Sequence, residues 1–138
     1  FNPVNNQLSL VTDQIDLPNG IGLSPNNKFL YVNKMALLDG NPRVISLDLE
    51  NNESSVLFDG KDLAEIHEGN FDGMAVHSSG NIFTSGPGGL LVISPEGELM
   101  AKIDSGHLTN ATFDDDEGYL YLTGFVSNPK VFRIKIKN

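Results

Sequence analysis

The 138-residue chain carries 18 Asp and Glu against 9 Lys and Arg, for a formal net charge of −9. That balance offers no basic field for phosphates, so neither nucleic acid nor an acidic membrane surface is expected as a partner. Cysteine is absent, which excludes disulfides and thiol catalysis and leaves the redox compartment open. The length allows one compact domain with a core, and 14 Gly and 7 Pro suit a chain of short strands and turns.

Phe1-Asn2-Pro3-Val4-Asn5-Asn6 reads as a strand end and a turn. The chain starts at Phe1 rather than Met and shows no signal peptide, so its natural start is expected upstream. Leu8, Leu10 and Ile15 suggest a strand without an upstream partner, which makes residues 1–16 the trailing strand of a preceding sheet. Residues 17–60 hold the first full unit. Pro18-Asn19-Gly20-Ile21 opens it, and strands follow at Lys28-Phe29-Leu30-Tyr31-Val32, Arg43-Val44-Ile45-Ser46-Leu47 and Ser55-Val56-Leu57-Phe58. Residues 61–69 are helix-like, but Leu63 and Ile66 support one turn at most. Residues 70–104 form the next unit, with strands at 74–76, 82–84, 90–93 and 99–103. Its turns are Ser78-Ser79-Gly80-Asn81, Gly86-Pro87-Gly88-Gly89 and Pro95-Glu96-Gly97-Glu98. Residues 108–138 supply strands at 111–113, 119–122 and 131–136 and end one strand short. Ile134 and Ile136 alternate with Arg133, Lys135 and Lys137, as in a strand with one charged face. No apolar run approaches the ~20 residues of a membrane span, so a soluble chain is expected, with its compartment unassigned.

The units are copies of one pattern. Asn19, Asp72 and Asn110 each lead a short strand, and an aromatic (Tyr31, Phe83, Tyr121) follows at nearly the same offset. The copies are separated by roughly the 40–50 residues of a four-stranded propeller blade. The sequence therefore predicts an all-β fold: a β-propeller segment of about three four-stranded blades. Closed rings use about four to eight blades, so three cannot close one. Bare sheet edges invite association, and a homodimer completing the ring is one expected arrangement.

The start of an innermost strand lies at the mouth of a propeller channel, so Asn19, Asp72 and Asn110 are placed to face a common pocket. Their oxygens suit a hard cation such as Ca²⁺, which takes six to eight oxygens. Taken singly, Asn19-Gly20 and Asp72-Gly73 are also ordinary turn pairs. His107 precedes Thr109 in a loop leading to a channel strand and is a candidate for substrate binding, as is Asn110. His67 and His77 receive no role. Asp114-Asp115-Asp116-Glu117 lacks the alternating spacing of an EF-hand and reads as a solvated hairpin. The loop Met35-Ala36-Leu37-Leu38 either covers the pocket or packs down.

Several blocks, in order, carry a resemblance. They are Leu17-Pro18-Asn19-Gly20-Ile21 with Leu30-Tyr31-Val32, Asp72-Gly73-Met74 with Gly80-Asn81-Ile82-Phe83, Ser85-Gly86-Pro87-Gly88-Gly89, and Thr109-Asn110-Ala111-Thr112-Phe113 with Leu120-Tyr121-Leu122. With them the chain resembles the C-terminal half of the gluconolactonase (SMP-30-like) family of six-bladed propellers, which includes regucalcin and luciferin-regenerating enzyme. The resemblance implies a divalent metal, usually Ca²⁺, with Asn19 and Asp72 as ligands. The family's other ligands, a Glu and an Asn in earlier blades, have no matching motif here. It also implies hydrolysis of a small-molecule lactone, with Asp72 as ligand or as base. Two other readings stay open on the same fold: an organophosphate or aryl-ester hydrolase, and a non-catalytic propeller that binds ligands or proteins.

Overall fold

The computed structural model describes residues 4, 7–37, 40–125 and 129–136. Three antiparallel meanders follow one another along the chain. The first pairs β1 (Pro18–Leu23), β2 (Phe29–Lys34), β3 (Arg43–Asp48) and β4 (Ser54–Asp59) in chain order. The second does the same with β5 (Met74–Val76), β6 (Ile82–Gly86), β7 (Gly89–Ile93) and β8 (Leu99–Ile103). The third has β9 (Leu108–Phe113), β10 (Tyr119–Gly124) and β11 (Lys130–Lys135). The short helix α1 (Lys61–Ile66) links the first two sheets. It docks through Leu63 on the first apolar cluster, and Ile66 is left exposed.

The middle sheet shows why the chain needs its neighbours. Every residue of β7 is buried. Strand side chains alternate between faces, so Leu91 and Ile93 enter one cluster with Tyr31, Val44, Phe71, Met74 and Ile82. Leu90 enters another with Leu108, Ala111, Leu120 and Leu122. The second sheet is thus covered on both faces, and its central strand reads as a continuous apolar run. The outer strand β11 alternates instead, with Phe132 and Ile134 packed inward and Arg133 and Lys135 exposed. Lys137 lies outside the described residues.

Two expectations are corrected. Residues 8–17 form no strand; Leu8, Leu10 and Val11 are exposed and the expected trailing strand is not built. Among the described residues no strand lies alongside 8–17, and without a ladder for its N–H and C=O groups water is the better partner. The expected turn at residues 1–6 lies almost wholly outside the described residues. The acidic 114–117 turn is more than a solvated hairpin. Glu117 Oε1 accepts the Ser78 N–H at 2.8 Å, and Oε2 lies 3.3 Å from His77 Nε2. His77 in turn packs edge-on to Phe113, so this end of the second and third sheets is latched by a ring contact and a carboxylate.

Phe71 is fully buried where the first two sheets meet and packs edge-on to Phe58. Phe71→Ala is expected to lower unfolding free energy by about 3–5 kcal/mol in denaturant titration, and Phe71→Leu by clearly less.

Candidate functional site

The first strands of the three sheets, β1, β5 and β9, run side by side. Backbone bonds stitch them together. Gly20 N–H donates to the Asp72 carbonyl at 2.7 Å, and Gly73 N–H donates to the Thr109 carbonyl at 2.9 Å. The two glycines are where that approach is tightest. A Cβ on Gly20 would run into the Asp72 carbonyl oxygen, and one on Gly73 would lie 2.6 Å from Thr109 O and Asn110 Cα. Neither Asn19-Gly20 nor Asp72-Gly73 is a turn; glycine follows the polar residue because the next inner strand passes there.

Asp72 is fixed through its backbone. Its N–H donates to Ser85 Oγ at 2.8 Å. Its carbonyl accepts a second bond, from Asn33 Nδ2, at 2.7 Å. Asn33 is fully buried, and the same nitrogen donates to Thr84 Oγ1 at 2.8 Å. Thr84 Oγ1 donates onward to the Ser85 carbonyl at 2.9 Å. Asn33 Oδ1 has no partner among the described residues. The amide cannot turn over to seek one, because Oδ1 would then face the Asp72 carbonyl. Sequence reasoning missed Asn33, Thr84 and Ser85. Their signal is a polar residue inside an apolar strand, in Tyr31-Val32-Asn33 and Ile82-Phe83-Thr84-Ser85.

With its backbone committed, Asp72 turns its carboxylate to Asn19. Burial pushes this carboxyl above the usual carboxylate range, and a hydrogen bond from the Asn19 side chain works the other way. Asn19 Nδ2 also approaches Met35 Sδ at 3.1 Å. The 35–38 loop is tied down by the Ala36 N–H, which donates to Asn70 Oδ1 at 3.0 Å; Leu37 is exposed and Leu38 lies outside the described residues. A cavity of about 430 Å³ opens beside Asp72, lined also by Asn70, His107, Thr109 and Phe125. His107 is half exposed there, with Nε2 3.8 Å from Glu68 Oε2. Asn110 is placed differently from its counterparts. Its Oδ1 accepts the Ala111 N–H at 2.9 Å and lies against Gly73, and the residue borders a depression on the other face of the third sheet. The structure therefore brings Asn19 and Asp72 together and sets His107 in the Asp72 cavity, but leaves Asn110 outside it.

Among the described residues no three His, Cys, Asp or Glu side chains gather around a point that could hold a metal ion. The Asp72 carboxylate and the Asn19 amide oxygen are hard donors of the type Ca²⁺ takes, but they are two side chains toward a shell of six to eight oxygens. The pair fits one edge of such a shell.

Two four-stranded meanders and one three-stranded meander, packed face to face with their first strands adjacent, define a segment of a β-propeller. The chain belongs to the SMP-30/gluconolactonase/LRE-like family, whose model matches residues 1–125. It is 30% identical over 143 residues to a gluconolactonase of Zymomonas mobilis, an alignment covering 95% of this chain and 38% of that protein. A gluconolactonase structure from Xanthomonas campestris superposes with a TM-score of 0.67 at 25% identity, covering 80% of this chain and 36% of the other. Luciferin-regenerating enzyme gives 0.74 at 19%, covering 95% and 48%. The calcium-binding protein regucalcin of Agrobacterium tumefaciens gives 0.68 at 20%, covering 85% and 41%; these last two likenesses speak for the fold alone. The chain thus spans about two fifths of the length of the gluconolactonase it matches.

Two substitutions separate scaffold from site. Asn33→Ala removes the bond that Thr84 Oγ1 accepts and one of the two that the Asp72 carbonyl accepts, and is expected to cost about 1–3 kcal/mol in denaturant titration. Asp72→Asn should act in the opposite sense. A carboxyl whose pKa is raised on folding destabilises the folded state once ionised. The variant should therefore melt higher than the parent at neutral pH, with the gap closing as pH falls through the carboxylate range.

Proposed function

We propose that this segment supplies the Asn19–Asp72 edge of the active site of a metal-assisted sugar-lactone hydrolase. One observation carries the reading: Asp72 lines a cavity of about 430 Å³ at one end of the inner strands, with its carboxyl within reach of the Asn19 side chain. The family supports it, as does the gluconolactonase of Zymomonas mobilis. A divalent cation, with Ca²⁺ the best match to these oxygens, would polarise the lactone carbonyl and favour the developing oxyanion.

Asp72 then serves as a ligand rather than as a base. Burial makes its ionised form expensive when alone, and a cation alongside removes that expense while lowering the carboxylate's proton affinity. Asn33, Ser85 and the Gly20 N–H hold the Asp72 backbone, so the carboxylate keeps its place without a loop having to close. His107 and Thr109 stand on the cavity wall, where they can take hydrogen bonds from the hydroxyls of a sugar lactone. The remaining metal ligands and the rest of the substrate wall come from outside the described residues.

The test is hydrolysis of D-glucono-1,5-lactone, followed by acid release, in a complete ring that carries this segment. Activity should vanish in EDTA and return with Ca²⁺. Asp72→Ala should lower kcat/KM by roughly 100-fold or more, and Asn19→Ala by roughly 10-fold or more. Full activity in EDTA together with an indifferent Asp72→Ala variant would sink the reading.

A further inference from the structure

A second cavity, of about 490 Å³, lies between the first two sheets at the end away from Asp72. One wall is the face of the first sheet. There Tyr31, Ser46 and Ser55 stand opposite one another across β2, β3 and β4. The facing wall is made by the 77–81 and 94–98 turns of the second sheet, which contribute Ser79, Gly80 and Glu96.

The hydroxyls of this cavity fall into two groups. The Ser24 hydroxyl closes its own turn, donating to Asn26 Oδ1 at 2.7 Å and accepting the Phe29 N–H at 2.9 Å. The Ser78 hydroxyl bonds the Glu117 carboxylate, and Ser79 Oγ pairs with His77 Nδ1 at 2.9 Å. These are spent on the fold. The hydroxyls of Tyr31, Ser46 and Ser55 have no hydrogen-bond partner among the described residues. Tyr31 is only 4% exposed as a residue, yet its hydroxyl is not shut away: the one fully buried side-chain oxygen or nitrogen without a partner among the described residues is Asn33 Oδ1. Its free hydroxyl borders the cavity, within the field of the Glu96 carboxylate. Burial first, and that carboxylate second, push the phenol above its ordinary value, so it stays protonated as a donor.

Neighbouring strands lie about 4.8 Å apart, so the row presents three hydroxyls at regular intervals with a carboxylate acceptor facing them. An anion would meet Glu96 and a chain of net charge −9. A wholly apolar ligand would leave three hydroxyls dry and unpaired. A ligand bearing several hydroxyls on a short carbon frame satisfies the row and the carboxylate together, and the volume is that of a small-molecule site.

We propose that this cleft is a binding site for a small neutral polyol or monosaccharide, separate from the Asp72 site. The test is a ¹H–¹⁵N correlation titration of the chain with D-glucose and with sorbitol. Saturable shifts are expected at Tyr31, Ser46, Ser55 and Gly80, with a dissociation constant in the millimolar range. Tyr31→Phe keeps the ring and removes one oxygen, and Ser46→Ala changes a strand position at the cavity wall. Each should weaken binding by about five-fold, the loss of one hydrogen bond, whereas Asp72→Ala should leave it unchanged. D-gluconate should bind more weakly than glucose. The proposal is overturned by an absence of saturable shifts, by shifts confined to Gly69, His107 and Thr109, or by unaltered affinity in Tyr31→Phe with the spectrum otherwise intact.

Discussion

The Asp72 carbonyl accepts two hydrogen bonds from the first sheet, one from the Gly20 N–H and one from the buried Asn33 amide, each at 2.7 Å. Much of the arrangement depends on this junction. It joins the first sheet to the second at the innermost strands, and Gly73 N–H repeats half of it toward the third sheet. It fixes the backbone of the one acidic residue whose side chain faces Asn19. It also explains the glycines, since a methyl group on Gly20 or Gly73 would wedge neighbouring strands apart. Buried amide donors are costly to leave unpaired, so a junction built on one has a single good geometry.

That rigidity bears on the chemistry. A carboxylate taken partly out of water opposes folding unless something compensates it, and here the one compensating side chain is Asn19. The cost is tolerable because the sheets pack over two apolar clusters, the second of which reaches the Asp72 cavity through Leu108. The opposite end of the sheets handles charge differently. Glu117 is satisfied by Ser78 and His77, its carboxyl is held below the usual range first by the Ser78 hydroxyl, and it serves as a latch. Two acidic residues of similar sequence prominence thus do unlike work because their surroundings differ.

The blades were legible because a propeller is built from local pairings. Each strand bonds to the next in sequence, so alternation and turn residues are enough, and β5 and β8 fall where the pattern puts them. Asn19 and Asp72 were legible as a repeated position. What could not be read depends on partners far along the chain. Asn33 reaches a carbonyl 39 residues away and a hydroxyl 51 away, and the Glu117 latch also spans 39. Asn110 shares the motif position of Asp72 but borders another face, a difference of packing that the sequence pattern does not encode. The expected strand at residues 8–11 failed for the converse reason. It had the apolar residues, but among the described residues no strand lies alongside it.

The account stands or falls on whether the inner-strand end, and not the more acidic 114–117 turn, is where this chain meets a cation. The most direct measurement is a ¹H–¹⁵N correlation titration of the chain with Ca²⁺. The account predicts saturable shifts centred on the amides of Asn19, Gly20, Asp72 and Gly73, lost in Asp72→Ala. Shifts confined to Asp114, Asp115, Asp116 and Glu117, or none that saturate, would contradict it.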